Sequence, residues 1–135
     1  MNTNLIHDRR AVLKSAAAFA ALATLPMCWA TQQAALSQTS IVVSASAHEV
    51  EKLAASELSR YLSRLYPDES FPLVPDADGR RIIVGTPDGS PGLRDLLGER
   101  APVKPESFVV THAGGVAIVA GADPRGTLYG VYALL

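Results

Sequence analysis

Val116-Ala117-Ile118-Val119-Ala120-Gly121-Ala122-Asp123-Pro124-Arg125-Gly126-Thr127-Leu128-Tyr129-Gly130-Val131-Tyr132 changes its apolar period within a few residues. Val116 to Gly121 is a short apolar run of the kind that forms a strand. Asp123 is a helix N-cap type and Pro124 suits the first helical position, where its missing N–H costs nothing. Beyond them Leu128, Val131, Tyr132 and Leu135 fall on one stripe at helical spacing. A strand feeding directly into an amphipathic helix points to layered α/β structure.

Reading outward, Ser107 to His112 is a second apolar run, separated from the first by Ala113-Gly114-Gly115, which predicts a β-hairpin. Arg81-Ile82-Ile83-Val84-Gly85 is the clearest strand by β-branched content. Thr86 to Gly92 reads as an irregular turn, and Leu93 to Leu97 as a short helix ended by Gly98. Ile41-Val42-Val43 is a further short strand. After it, Ser46 and Glu49 stand at capping-box spacing, so a helix is expected to start there. Val50, Leu53, Ala54, Leu58, Tyr61, Leu62 and Leu65 form its apolar stripe, with Glu51, Lys52, Arg60 and Arg64 outside it, and Pro67 stops it. Pro67 to Gly79 reads as a loop with Phe71 and Leu73 as anchors. The expected fold is α/β of the α+β type: a two-layer sandwich with a small mixed sheet of about four strands and two long helices on one face.

The first thirty residues read differently. Arg9, Arg10 and Lys14 precede an Ala-rich apolar run from Ser15 to Leu25, too short to span a bilayer, and Ala30 offers a small residue for cleavage. Asp8-Arg9-Arg10-Ala11-Val12-Leu13-Lys14 resembles the twin-arginine export motif, with Arg9, Arg10, Leu13 and Lys14 as its signature. A general secretory signal with adjacent arginines is the alternative, and lipidation at Cys28 a weaker rival because Pro26-Met27 suits it poorly. The expected organisation is a signal peptide over 1–30, a polar linker over 31–40 and a domain over 41–135, exported to the periplasm or secreted.

Of 135 residues, 48% are hydrophobic and 19% charged, room for one modest domain. Removing Arg9, Arg10, Lys14 and Asp8 with the signal leaves nine basic and twelve acidic side chains, a net charge of −3. No cationic field remains to displace counterions from phosphates, so nucleic acid is not an expected partner. Cys28 is the only cysteine. Cleavage after Ala30 leaves none, which excludes a disulfide framework, a thiolate metal site and a cysteine nucleophile.

Chemistry is sparse. His48 and His112 have no ligand partner at metal-binding spacing. Gly85 to Gly92 lacks the Gly-Lys-Ser/Thr ending of a phosphate loop. Asp76-Ala77-Asp78-Gly79 opens like a calcium loop, but Pro87 stands where its last glutamate belongs. No two carboxylates are singled out as a glycosidase pair, so no catalytic residue, metal or cofactor is expected. The best cluster is Asp123 to Gly130. Asp123 caps the helix, while Gly126 and Gly130, four apart, leave a smooth face for close packing. Arg125 and Tyr129, also four apart, are together with Asp123 the candidates for contact with a partner or a sugar.

Three segments resemble a known family. They are Ala55-Ser56-Glu57-Leu58-Ser59-Arg60-Tyr61-Leu62, Arg81 to Pro87, and Pro105 to Val110 followed by Gly121 to Tyr132. Together they are similar to the N-terminal domain of bacterial alpha-glucuronidases and related glycoside hydrolases, a domain that also resembles the second domain of chitobiases and beta-hexosaminidases. The resemblance covers Ile41 to Leu135. It implies a non-catalytic accessory domain preceding a (β/α)₈ barrel, where the barrel holds the catalytic carboxylates and acts on side groups of plant polysaccharides such as xylan. Leu135 falls inside the last helix, so the domain reads as incomplete and the barrel as absent from this chain. The expected partners are that barrel, polysaccharide, and the twin-arginine export machinery. A free-standing carbohydrate-binding or protein-interaction module is the rival reading, and a decayed gene product a third.

Overall fold

The computed structural model describes residues 37–135, position 91 excepted. The export motif Arg9, Arg10, Leu13 and Lys14, together with Cys28 and Ala30, lies outside the described residues. In chain order the elements are β1 (Ser37–Gln38), β2 (Ser40–Val42), α1 (Glu49–Leu65), β3 (Glu69–Ser70), β4 (Leu73–Val74), β5 (Arg81–Gly85), α2 (Leu93–Leu97), a 3₁₀ turn (Gly98–Arg100), β6 (Phe108–Ala113), β7 (Val116–Gly121) and α3 (Pro124–Leu134).

Five strands form one mixed sheet in the order β4-β2-β5-β7-β6. β2 lies parallel to both β4 and β5, and β5 parallel to β7; only β6 is antiparallel, as the second arm of the hairpin. The hairpin closes on Gly114 and Gly115, whose φ values of +57° and +76° require residues without a Cβ penalty. β1 and β3 make a separate two-stranded parallel ribbon.

Strand alternation sends side chains to two faces. On one face Ile41, Val84 and Val119 pack with Ala54, Ala55 and Leu58 of α1 and with Val131 of α3. On the other, Val116, Ile118 and Ala120 pack with Leu93 and Leu97 of α2. The two long helices therefore share one face as expected, but the layering differs from the expected sandwich because α2 covers part of the second face. Its two buried leucines need an apolar partner, and the even-numbered residues of β7 supply it.

The sheet has five strands where about four were expected. The fifth is β4, inside the segment read as a loop, where Ile41 stands opposite Leu73. A two-residue strand leaves no periodic signal of its own. Phe71 anchors this segment as expected, whereas Leu73 is exposed at the sheet edge. β1 also falls inside the expected 31–40 linker, where the Arg80 guanidinium donates to the Ser37 hydroxyl at 2.7 Å and β3 supplies a ladder.

The start of α1 is displaced from its expected cap. His48, not Ser46, is the N-cap: its Nδ1 accepts the Val50 N–H at 3.2 Å, and Glu51 Oε2 accepts the His48 N–H at 2.8 Å. Ser46 shares a hydrogen bond with the Ser44 hydroxyl in the preceding turn instead. Glu51 itself is 3% exposed, contrary to its expected place outside the apolar stripe. Its other oxygen, Oε1, accepts the Thr86 N–H at 2.8 Å, so one carboxylate caps α1 and ties down the turn after β5.

Candidate functional site

The connections after β2 and β7 bring the N-termini of α1 and α3 to the same end of the sheet. Between them lies a groove of about 480 Å³ lined by His48, Val50, Pro105, Glu106, Asp123, Pro124 and Arg125. Of the candidate residues, Asp123 and Arg125 line this groove, while Tyr129 lies at the middle of α3, outside its lining.

Asp123 divides its carboxylate between two backbone donors. Oδ1 accepts the Gly126 N–H at 2.8 Å, capping α3, and Oδ2 accepts the Glu106 N–H at 2.8 Å, holding the preceding loop. These two bonds, the Gly126 bond foremost, lower its pKa below the ordinary carboxylate value; the nearby Arg125 charge adds to them and slight desolvation opposes them. A carboxylate held ionised with both oxygens engaged is suited to fixing a backbone and unsuited to donating a proton.

Arg125 reaches back to the same loop, pairing with Glu106 Oε1 at 3.2 Å. Glu106 occupies the left-handed region at φ +60°, and the loop is further held by the Ala122 N–H donating to the Ser107 carbonyl at 2.9 Å. A Cβ on Gly126 would lie well inside contact distance of the Ser107 carbonyl oxygen. One on Gly130 would meet Val119 Cγ1 at 2.9 Å. Both glycines therefore serve the close packing expected of them, Gly126 against the loop and Gly130 against the sheet. Glu106 is the ion-pair partner of the Arg125 guanidinium among the described residues. Tyr129 stands exposed one turn further along α3.

A second concavity, of about 800 Å³, opens on the α2 side of the sheet. Val42, Ile83 and Leu96 contribute apolar surface, and Arg81, Asp76 and Asp95 contribute charge of both signs. Arg81 is half-buried, and its side chain has no hydrogen-bond or ion-pair partner among the described residues. Sequence reasoning missed this cleft, because its residues come from β2, the β4–β5 connection, β5 and α2 and no spacing links them. The Gly85 to Gly92 turn beside it is internally bonded: the Thr86 carbonyl accepts from the Gly89 and Ser90 N–H groups, and Arg94 pairs with Asp88. The backbone amides of Gly89 and Ser90 are thus used within the turn rather than offered to an anion.

Residues 23–134 match the family described as glycosyl hydrolase family 67 N-terminus. The chain belongs to this family. No curated protein matches it. Among solved structures it is similar to a family GH115 4-O-methyl-alpha-glucuronidase with specificity for decorated arabinogalactans, at 26% identity and a TM-score of 0.61 over 72% of this chain. The family 67 N-terminal chain spans only 13% of that structure's length. It is also similar to a GH138 enzyme targeting pectin rhamnogalacturonan II, at 18% identity and a TM-score of 0.49, over 70% of this chain and 12% of that one.

Proposed function

We propose that this family 67 N-terminal chain is the non-catalytic accessory domain of an exported alpha-glucuronidase-like glycoside hydrolase, which removes uronic-acid or other side groups from plant polysaccharides such as xylan. In this reading residues 1–30 are a twin-arginine signal that delivers the folded protein to the periplasm or beyond, and the domain packs against a (β/α)₈ barrel that carries the catalytic carboxylates. The observation that carries it is the coverage of the GH115 relative. About 97 residues of this chain correspond to 13% of that enzyme, whose chain is therefore about 750 residues long. A barrel alone needs about 250 residues, so the shared domain is a small part of such a protein. The state of Asp123 adds support, since its chemistry is spent on architecture.

The test is turnover. Purified Thr31–Leu135 given aldouronic acids or an aryl glucuronide is expected to release no product. Release at a rate that follows protein concentration refutes the accessory role.

The cleft at Arg81 favours a second reading, a free-standing carbohydrate-binding module in which the guanidinium, without a partner among the described residues, takes a uronate carboxylate. Calorimetric titration with uronate-bearing xylo-oligosaccharides distinguishes the two. Micromolar binding that disappears in Arg81→Ala supports the module, and no heat supports the accessory domain.

A further inference from the structure

Aspartate followed by glycine is open to a spontaneous rearrangement, because glycine has no Cβ to keep its amide nitrogen from the aspartyl carboxyl group. The nitrogen attacks Cγ of the protonated carboxyl and an N–Cγ bond forms. The Cγ–OH bond breaks, and the hydroxyl leaves with the amide proton as water. Solvent water then opens the five-membered succinimide at either carbonyl. Opening at the former main-chain carbonyl gives isoaspartate, whose main chain runs through the side-chain methylene. Water is the sole co-reactant. The step needs a carboxyl group and an amide nitrogen that are not held by other partners, and a backbone with room to bring them together.

The chain contains two such dipeptides, Asp78-Gly79 and Asp88-Gly89, and the fold treats them differently. Gly89 lies in the turn after β5, where its N–H donates to the Thr86 carbonyl at 3.1 Å and to the Thr86 hydroxyl at 3.2 Å. A Cβ on Gly89 would lie 2.8 Å from that hydroxyl, so the backbone is closely confined. The Asp88 carboxylate pairs with the Arg94 guanidinium. Nucleophile and electrophile are thus both engaged elsewhere, and an amide held in this way reacts only when the turn opens.

Asp78 and Gly79 are exposed in the connection between β4 and β5. Neither the Asp78 carboxylate nor the Gly79 N–H has a hydrogen-bond or ion-pair partner among the described residues. Gly79 stands at φ +78°, and a Cβ there would meet nothing within 4 Å, so the backbone has space to turn.

We infer that Asp78-Gly79 is a modification site of this domain, at which the folded chain converts aspartate to isoaspartate, while the fold protects Asp88-Gly89. The inference goes beyond the accessory-domain reading and stands whether or not that reading does. Its place gives it a structural consequence. The added main-chain methylene falls two residues before Arg80, whose carbonyl accepts the Ser40 N–H at 3.0 Å and whose guanidinium holds the Ser37 hydroxyl of β1 and, at 3.6 Å, Glu69 of β3. The same connection supplies Pro75 and Asp76 to the wall of the cleft at Arg81.

Trypsin separates the two dipeptides for the test, since cleavage after Arg64, Arg80, Arg81 and Arg94 places them in peptides 65–80 and 82–94. The full chain is kept folded near neutral pH for several weeks and digested, and isoaspartate is located by electron-transfer fragmentation, which cleaves its Cα–Cβ bond. The two peptides, isolated beforehand and aged alongside, give the unprotected rates. In the folded chain Asp78 is expected to isomerise within about threefold of its peptide rate, and Asp88 at least about tenfold more slowly than its own peptide rate. Asp78→Glu, whose longer side chain does not close the five-membered ring, is expected to abolish isoaspartate in peptide 65–80 without altering peptide 82–94. Equal slowing of the two sites in the folded chain overturns the inference, as does isoaspartate that persists in peptide 65–80 of Asp78→Glu, which would place the reaction at Asp68 or Asp76.

Discussion

Two carboxylates organise the backbone at one end of the sheet. Glu51 joins the start of α1 to the turn after β5, and Asp123 joins the start of α3 to the loop before β6. Asp123 was legible from sequence, because Asp-Pro at a strand-to-helix boundary is a local signal. Glu51 was not, since its second partner, Thr86, is 35 residues away. The local pattern pointed to a serine-based cap two residues earlier, at Ser46 with Glu49, and the bond to the distant Thr86 N–H is not contained in it. The lowered pKa of Asp123 has a direct consequence for acid stability. Above the ordinary carboxylate value of 3.8 the folded and unfolded states are both ionised, and the full stabilisation is present. As pH falls below that value the unfolded state takes up the proton first, and the contribution is lost as pH falls through the lower folded-state pKa. Melting curves between about pH 5 and pH 2 should therefore show a steeper loss for the natural chain than for Asp123→Asn, which has no carboxylate there to titrate.

At the scale of elements, the hairpin, β5, α2 and α3 stand where the sequence placed them, to within a residue. Each carries its own local signal: glycines at the turn, a β-branched run, a capping residue, a proline at the first helical position. The two-residue strands carried none, because their pairing depends on which segment the chain meets across space. The glycines of α3 belong to this scale too, since they set how closely an element approaches its neighbour. Gly126→Ala drives a methyl into the Ser107 carbonyl and is expected to destabilise the domain by about 1–3 kcal/mol, a cost typical of overpacking. For a domain of this size that lowers the melting temperature by roughly 4–8 °C per kcal/mol, measurable by circular dichroism.

For the whole molecule, one sheet separates two apolar clusters, one under α1 and α3 and the other under α2. Because β5 and β7 contribute to both, the two sides are expected to unfold together. Leu58→Ala and Leu93→Ala, each removing a fully buried side chain from a different face, should each cost about 2–5 kcal/mol and shift one shared transition. Separate transitions for the two variants in denaturant would show that the α2 side folds as a unit of its own. The assignment to the family 67 N-terminal group also belongs at this scale, because the order of motifs from Ala55 to Tyr132 carries the resemblance and no single motif does.

The sequence by itself determined the order of the main elements, the placing of both long helices on one face and the family, because periodicity, caps and turn residues act over a few neighbours. Only the tertiary structure decided that α2 covers the second face, that Glu51 rather than Glu49 caps α1, and that Arg81 lines a cleft. It also decided which apolar residues stay outside. The period that selects Leu58 selects Tyr61 and Leu65 as well, and burial depends on the width of sheet beneath the helix, which no local pattern contains.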